Sequence, residues 1–458
     1  MNALVIALLV PWATGAVLVL LDGRRPAVGW IAVGALAVNV VALAVLATTV
    51  LRDGTVSEVT GGWPTGVGIT LRTDALGAIF ACLSAVAVLA AMVHEVLDGV
   101  RERVFPGVVL LLATGLTGVF LTGDLFNFYV FFELAMTAAY VLATYGGGRR
   151  ELSAALVFTS VNLLGTFVFL LSVAGVYHVT GSLDMATIAE RMQDVEPAAA
   201  VMIAIGFFAA FSVKLGLFPF HFWLPTVYTA SRPAVAAILS GGLANIGAYG
   251  LLRFGGELFP RELEFASVGL IVLGSASILY GGLLAVSRRT SGEMLAYSAI
   301  GQVGYVLMAI GVGGPIGFGA AILYTVVNAL NKTLLFLTAR MRGAIVSAVF
   351  VLGAMSVIGI PPAAGFVGKL ELFRAVADEP ALIALVFVGG ALSFVYALQV
   401  YQYDFWRTPG RGPGPDASRG QKAVVVALAL VILAGGLWPE PLLSLSHDAA
   451  ATLAGPEP

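Results

Sequence analysis

The chain is a near-continuous succession of apolar stretches, each about 20 residues long and divided by short polar connections. A stretch of that length crosses a bilayer as a helix, and in hydrocarbon a helix satisfies its own backbone donors and acceptors. Fourteen such segments are predicted, over 1–21, 27–51, 72–93, 104–122, 124–145, 152–176, 199–220, 233–254, 264–286, 294–313, 315–340, 343–369, 381–406 and 422–438. Only 11% of residues are charged, against about 25% in a soluble domain. The first segment lacks a basic leader and is followed at once by others, so it reads as a span and not as a signal peptide. The longest connections, 52–71, 177–198 and the Pro/Gly-rich 407–421, are too short to form a domain. The expected fold class is therefore all-α integral membrane, with 1–458 as one polytopic unit.

Composition excludes several functions. The formal net charge is -2 and the basic residues are scattered, so there is no electrostatic footprint for nucleic acid. A single cysteine, Cys82, rules out a disulfide framework, a four-cysteine iron–sulfur site and a zinc ribbon. No cofactor, no metal site and no residue of covalent catalysis is expected, and any redox or hydrolytic chemistry must sit on a partner.

Fourteen spans place alternate loops on opposite sides of the membrane. One side receives Arg24, Arg25, Arg101, Arg103, Arg149, Arg150, Arg232, Arg288, Arg289, Arg340, Arg342, Arg407, Arg411, Arg419 and Lys422. The other receives only Arg52, Arg72, Arg191, Arg253, Arg261 and Arg374. The positive-inside rule makes the first side cytoplasmic and puts both termini outside.

The remaining lysines, Lys214, Lys332 and Lys369, fall in or at the end of apolar spans, and Glu133 sits near the middle of the fifth. A charge at membrane depth costs a few kcal/mol on insertion scales and marks an ion path or an internal pair. A carboxylate and an amine meeting there each hold or lose a proton according to the other, which is the basis of a relay. The plainer readings are a structural pair of Glu133 with Lys214, and a Lys369 that snorkels to water.

Two spans carry helix breakers beside these charges. Pro219 follows Lys214 by five residues, and Pro361 and Pro362 precede Lys369. These are the seventh and twelfth spans; the odd offset gives them opposite directions in the membrane, as in inverted repeats built around discontinuous helices. His221 follows the first break and suits either a proton relay or an interfacial anchor. Ser240, Asn245, Asn328 and Asn331 are candidates for ordering water, with ordinary helix-packing hydrogen bonds as the default. His94, His178 and His447 read as solvated loop residues.

The runs TGDLFNFYVFFELAMTAAYVL, FSVKLGLFPFHFWLP, MLAYSAIGQVGYVL, NALNKTLLFL and GIPPAAGFVGK resemble, in order and spacing, the antiporter-like subunits shared by Mrp-type sodium/proton antiporters and respiratory complex I. Within that family, GDLFNFYVFFE and GGWPTGVGITLRTDALGAIF are most similar to the D-subunit branch of the Mrp antiporter. The resemblance implies fourteen helices, with spans four to eight and nine to thirteen as inverted repeats, here 104–254 and 264–406. It matches Glu133, Lys214, His221, Lys332 and Lys369 to the family's proton path, with Lys369 exchanging protons at the outer side. It also implies neighbouring membrane subunits in a hetero-oligomeric complex of the cell membrane, moving protons and, in one reading, sodium ions.

Asn245 stands where relatives often have a lysine, Asn328 where many have histidine, and Glu293 where a basic pair is usual. The connection Ala339 to Gly343 is shorter than the family's segment there. Two alternatives stay open: a proton-pumping subunit of a redox-driven complex, such as complex I or a membrane-bound hydrogenase, and a structural membrane subunit without conduction.

Overall fold

The computed structural model describes residues 3–62, 68–406 and 417–454. Arg407, Arg411, most of the 407–421 connection and 63–67 of the upstream motif lie outside the described residues. Among the described residues twelve helices are long and apolar enough to cross a membrane, and two shorter apolar ones, Phe105–Leu121 and Ala344–Ile358, complete the fourteen expected. The first six are Ala3–Leu20, Pro26–Asp53, Ala75–Asp98, Phe105–Leu121, Leu125–Ala143 and Arg149–Thr180. Then come the broken seventh, Pro197–Ala230, and Pro233–Leu258, Pro260–Val286, Ser291–Val312 and Gly314–Thr338. The twelfth is split into Ala344–Ile358 and Ala364–Ala375, and Pro380–Trp406 and Arg419–Leu437 close the series.

Burial sorts these helices into an inner and an outer set. The apolar windows of the eleventh, eighth and tenth spans are 100%, 94% and 89% buried, whereas those of the thirteenth and fourteenth are 28% buried and leave most of their surface for lipid. Between helices that share an apolar solvent, close backbone approach replaces the hydrophobic effect as the source of association. The ninth and tenth spans meet in this way. A Cβ at Gly274 would lie 2.7 Å from the Gly304 carbonyl oxygen, and one at Gly281 would lie 2.3 Å from the Gly301 nitrogen.

The two breaks share one construction. The first half of the seventh span ends at Leu215 and turns through Gly216, whose φ of 65° is left-handed; the first half of the twelfth ends at Ile358 and turns through Gly359, at φ 88°. Three residues after each glycine stands a proline, Pro219 and Pro362, preceded by a cis peptide. The segments LGLFP and IGIPP are thus equivalent pieces of backbone, an internal correspondence visible in the sequence once the glycine is aligned. The eighth span is also irregular, with wide π turns at Ile238–Leu243 and Phe254–Leu258.

Contacts among the loops sort them onto two faces as alternation requires. On one face Arg24 donates to the Arg101 carbonyl, Arg103 donates to that of Leu20, and Arg232 and Gln421 both reach Asp98. The opposite face carries three elements not anticipated from sequence. Val56–Val59 and Thr70–Thr73 form an antiparallel hairpin with Val56 opposite Thr73. Isolated bridges tie Leu71 to Thr122 and Asp124 to Asp184, joining it to the turn after the fourth span and to a short helix, Met185–Arg191. A last helix, Glu440–Ala454, packs on the eleventh span, where Gly319 admits the ring of His447.

Three sequence expectations are corrected. His94 is no loop residue: the third span runs on to Asp98, and the imidazole is buried. His447 lies on the last helix, half-exposed and 3.4 Å from the Glu371 carboxylate. Arg253, counted among the loop charges, is buried within the eighth span. His178, in the last turn of the sixth span, is exposed.

Candidate ion-translocation axis

Glu133 lies in mid-helix on the fifth span, half-buried, and Lys214 is buried one residue before the first half of the seventh ends. The lysine Nζ donates to the Asn162 carbonyl oxygen at 2.8 Å and to the Thr166 hydroxyl at 3.1 Å. That hydroxyl donates in turn to Glu133 Oε1 at 2.8 Å. Carboxylate and amine are therefore joined through a hydroxyl supplied by the sixth span. The ammonium also lies 4.6 Å from the centre of the Phe132 ring, a cation–π contact.

The break fixes this geometry. Gly216 ends the helix just past the lysine, and Trp223 Nε1 donates to the Val213 carbonyl at 3.0 Å, pinning the second half of the span to the first. Phe218 N–H donates to Ser277 of the ninth span. A small cavity with about 10 Å³ open to the centre of a water molecule is lined by Phe132, Asn162, Lys214 and Trp223. That is room for about one water. His221, after the break, is buried between Phe218 and Tyr280, 4.4 Å from the latter's ring centre, and its Nδ1 has no partner among the described residues.

Lys332 is buried on the innermost helix. The next residue, Thr333, abuts the π turn of the eighth span so closely that a Cβ at Gly241 would lie 1.9 Å from its hydroxyl. Of the four neutral candidates, Ser240 donates to the Ala236 carbonyl of its own helix, and Asn245 donates to the Gly241 carbonyl at 2.7 Å and to Ser84 of the third span at 3.2 Å. Asn328 is buried, as is Asn331, whose Oδ1 has no partner among the described residues.

Lys369 sits on the second half of the twelfth span, buried; its Nζ has no hydrogen-bond partner among the described residues and stands 5.1 Å from the centre of the Tyr305 ring. Its stem passes over the break, where a Cβ on Gly359 would lie 2.5 Å from Lys369 Cδ. The snorkelling alternative does not describe this side chain, which points into protein.

Sequence reasoning missed two buried ionic clusters. Asp74, which caps the third span through Gly77 N–H, holds Arg253 with both oxygens at 2.6 Å, and Arg253 and Arg72 share Glu257. Burial pushes the Asp74 carboxyl up, but the Arg253 guanidinium outweighs it and holds the group at about 2. On the opposite face, buried Glu95 accepts from the Tyr145 hydroxyl at 2.7 Å and pairs with Arg232 at 3.3 Å. Asp74 was legible as a helix cap; Glu95, one of two polar residues in a run of apolar ones, offered no local signal of its partner.

Residues 122–394 match the family described as NADH:quinone oxidoreductase/Mrp antiporter, transmembrane. The chain belongs to this family. It is 29% identical to the Na(+)/H(+) antiporter D-subunit of Alkalihalophilus pseudofirmus over 99% of this chain and 98% of that one. It is 32% identical to the NADH-quinone oxidoreductase N-subunit of Desulforudis audaxviator, over 84% and 85% of the two chains. Its fold matches a chain of the Mrp complex from Dietzia sp. DQ12-45-1b with a TM-score of 0.90 and 27% identity, covering 99% of this chain and 98% of that one. In this family frame, fourteen helices with paired breaks are the expected antiporter-type membrane architecture.

Proposed function

We propose that the chain is the proton-translocating membrane subunit of a multisubunit sodium/proton antiporter, embedded in the cell membrane with both termini outside. The observation that carries this reading is the Glu133–Thr166–Lys214 chain at the break of the seventh span. A lysine held by one hydroxyl and one carbonyl, with a carboxylate one hydroxyl away, changes its proton affinity when the carboxylate changes charge. Such a site is a relay whose state its neighbours can set. Lys332 and Lys369 continue the path through the eleventh and twelfth spans, His221 serves the break, and Asn328 and Asn331 order water along it. The units 104–254 and 264–406 act as inverted repeats, each built around one break. Covalent catalysis, a cofactor and a metal have no part in it, and other membrane subunits supply the rest of the exchanger.

The test is sodium/proton exchange in everted vesicles carrying the assembled complex with Lys214→Ala. Exchange is expected to vanish while assembly persists; wild-type exchange in that variant overturns the reading. The 32% identity to a quinone oxidoreductase subunit favours a second reading, in which the same helices pump protons for a redox complex. Flavin or iron–sulfur proteins co-purifying with the chain decide for it.

A further inference from the structure

The tenth and thirteenth spans face each other with a row of polar side chains whose middle is joined by hydrogen bonds. On the tenth, Ser291, Ser298, Gln302 and Tyr305 recur at intervals of seven, four and three, and so share one helix face. On the thirteenth, Gly389, Ser393, Tyr396 and Gln399 recur at four, three and three. The two rows interlock. Gln302 Nε2 donates to Tyr396 OH at 3.2 Å and to Ser393 Oγ at 3.4 Å, Ser298 Oγ and Tyr396 OH are 2.7 Å apart, and Tyr324 of the eleventh span donates to Gln302 Oε1.

One end of this seam is Lys369. Its Nζ lies against the Tyr305 ring and would be 3.5 Å from a Cβ on Gly390, while the Tyr305 hydroxyl occupies the place of a Cβ on Gly389, 2.1 Å from it. The paired glycines of the thirteenth span thus make the room in which amine and phenol meet. The other end runs toward the face that carries Arg24, Arg103, Arg232 and the adjacent Arg288 and Arg289, the face of the arginine pairs: Gln399 lies one turn beyond Tyr396, and Asp404 faces Ser291, three residues after Arg288. Lys369 Nζ, Tyr305 OH and Gln399 Oε1 are buried polar atoms without a partner among the described residues, and all three lie on this one seam. Polar groups so placed in hydrocarbon are ordinarily satisfied by water.

We propose that this seam conducts protons between Lys369 and the face of the arginine pairs, giving the twelfth-span lysine a path to that face instead of to the outer side. This rests on the reading of Lys369 as a proton carrier. The ammonium gives one proton to the seam; Tyr305, Ser393, Tyr396 and Ser298, with bridging water, each accept one proton as they release one. One proton leaves at the arginine face and every hydroxyl ends neutral. Gln302 is a positioning residue, since its amide orients hydroxyls on both sides but takes up no proton near neutral pH.

The assembled complex tests this in vesicles. Tyr396→Phe keeps the ring and removes only the hydroxyl, so it is expected to slow exchange at least tenfold with unchanged assembly and thermal midpoint. Ser275→Ala, which removes a hydroxyl bonded to its own ninth-span helix, should leave the rate unchanged. In a Cys82→Ser background, Ser298→Cys should be modified by a small charged thiol reagent added at the arginine face, with loss of exchange. If Lys369→Ala exchanges normally, the carrier reading itself fails. If Lys369→Ala is inactive while Tyr396→Phe and Gln302→Leu are normal, or residue 298 reacts only from the opposite face, the seam is overturned and the carrier reading stands.

Discussion

One hydroxyl, that of Thr166, receives the Lys214 ammonium and gives its own proton to Glu133. Removing either charged partner leaves the other in a poorly polarisable setting, so the two effects should not add. A double-mutant cycle of Glu133→Gln and Lys214→Ala on exchange is expected to show a coupling of about 1–3 kcal/mol. In a Thr166→Val background, nearly the same in shape but without the oxygen, that coupling should fall below about 0.5 kcal/mol. An undiminished coupling would show that the carboxylate acts on the lysine by another route.

Asp74 makes a different prediction from an equally local cause. Arg253 holds its carboxyl below the ordinary 3.8, at about 2. A group whose value is lowered on folding stabilises fully above its unfolded value and loses that contribution as protons are added. The thermal midpoint of the detergent-purified protein should therefore fall between about pH 4 and pH 2, and Asp74→Asn should remove that part of the dependence. The same substitution takes the bidentate carboxylate from Arg253, which keeps Glu257, and should cost about 1–3 kcal/mol at neutral pH.

At the scale of the element, the two breaks are held by glycines that no other residue replaces cheaply. Gly359 combines a left-handed backbone with a lysine stem where its Cβ would be, and Gly216 combines it with the Leu224 side chain at 2.6 Å. Gly359→Ala and Gly216→Ala should each cost at least about 1–3 kcal/mol. Gly34, in the second span, is the opposite case, because a Cβ there would meet nothing within 4 Å among the described residues: Gly34→Ala should stabilise by about 0.5–1 kcal/mol. Equal shifts in the melting of the three variants would remove the distinction between a hinge glycine and an incidental one.

All fourteen spans were legible in the whole molecule because each is dictated by its own length and apolarity. The hairpin was not legible, since two strands of four residues carry too little alternation to rise above loop. Nor was the last helix, whose apolar face is covered by the eleventh span from a distant part of the chain. The same contrast governs the site. Lys214 and Lys369 announce themselves as charges in apolar runs, but Thr166 and Gln302 are ordinary helix residues until their partners are known. Topology belongs to this scale too: Glu190→Cys in a Cys82→Ser background, on the short helix of the hairpin face, should react with an impermeant thiol reagent from outside the cell only. Reaction only from the cytoplasm would reverse the orientation.

The clusters also bear on the order of synthesis. Lys214 meets groups from residues 133, 162 and 166, Arg232 meets Glu95 and Asp98, and Arg253 meets Asp74. In these contacts the cation is made after the acceptor named, so a ribosome delivers Lys214, Arg232 and Arg253 to a bilayer where that partner already waits; Glu257, which Arg72 and Arg253 also meet, is the exception and follows them. Nascent chains arrested beyond the eighth span should accordingly integrate that span less well when they carry Asp74→Asn, because Arg253 then keeps only Glu257 of its two carboxylates.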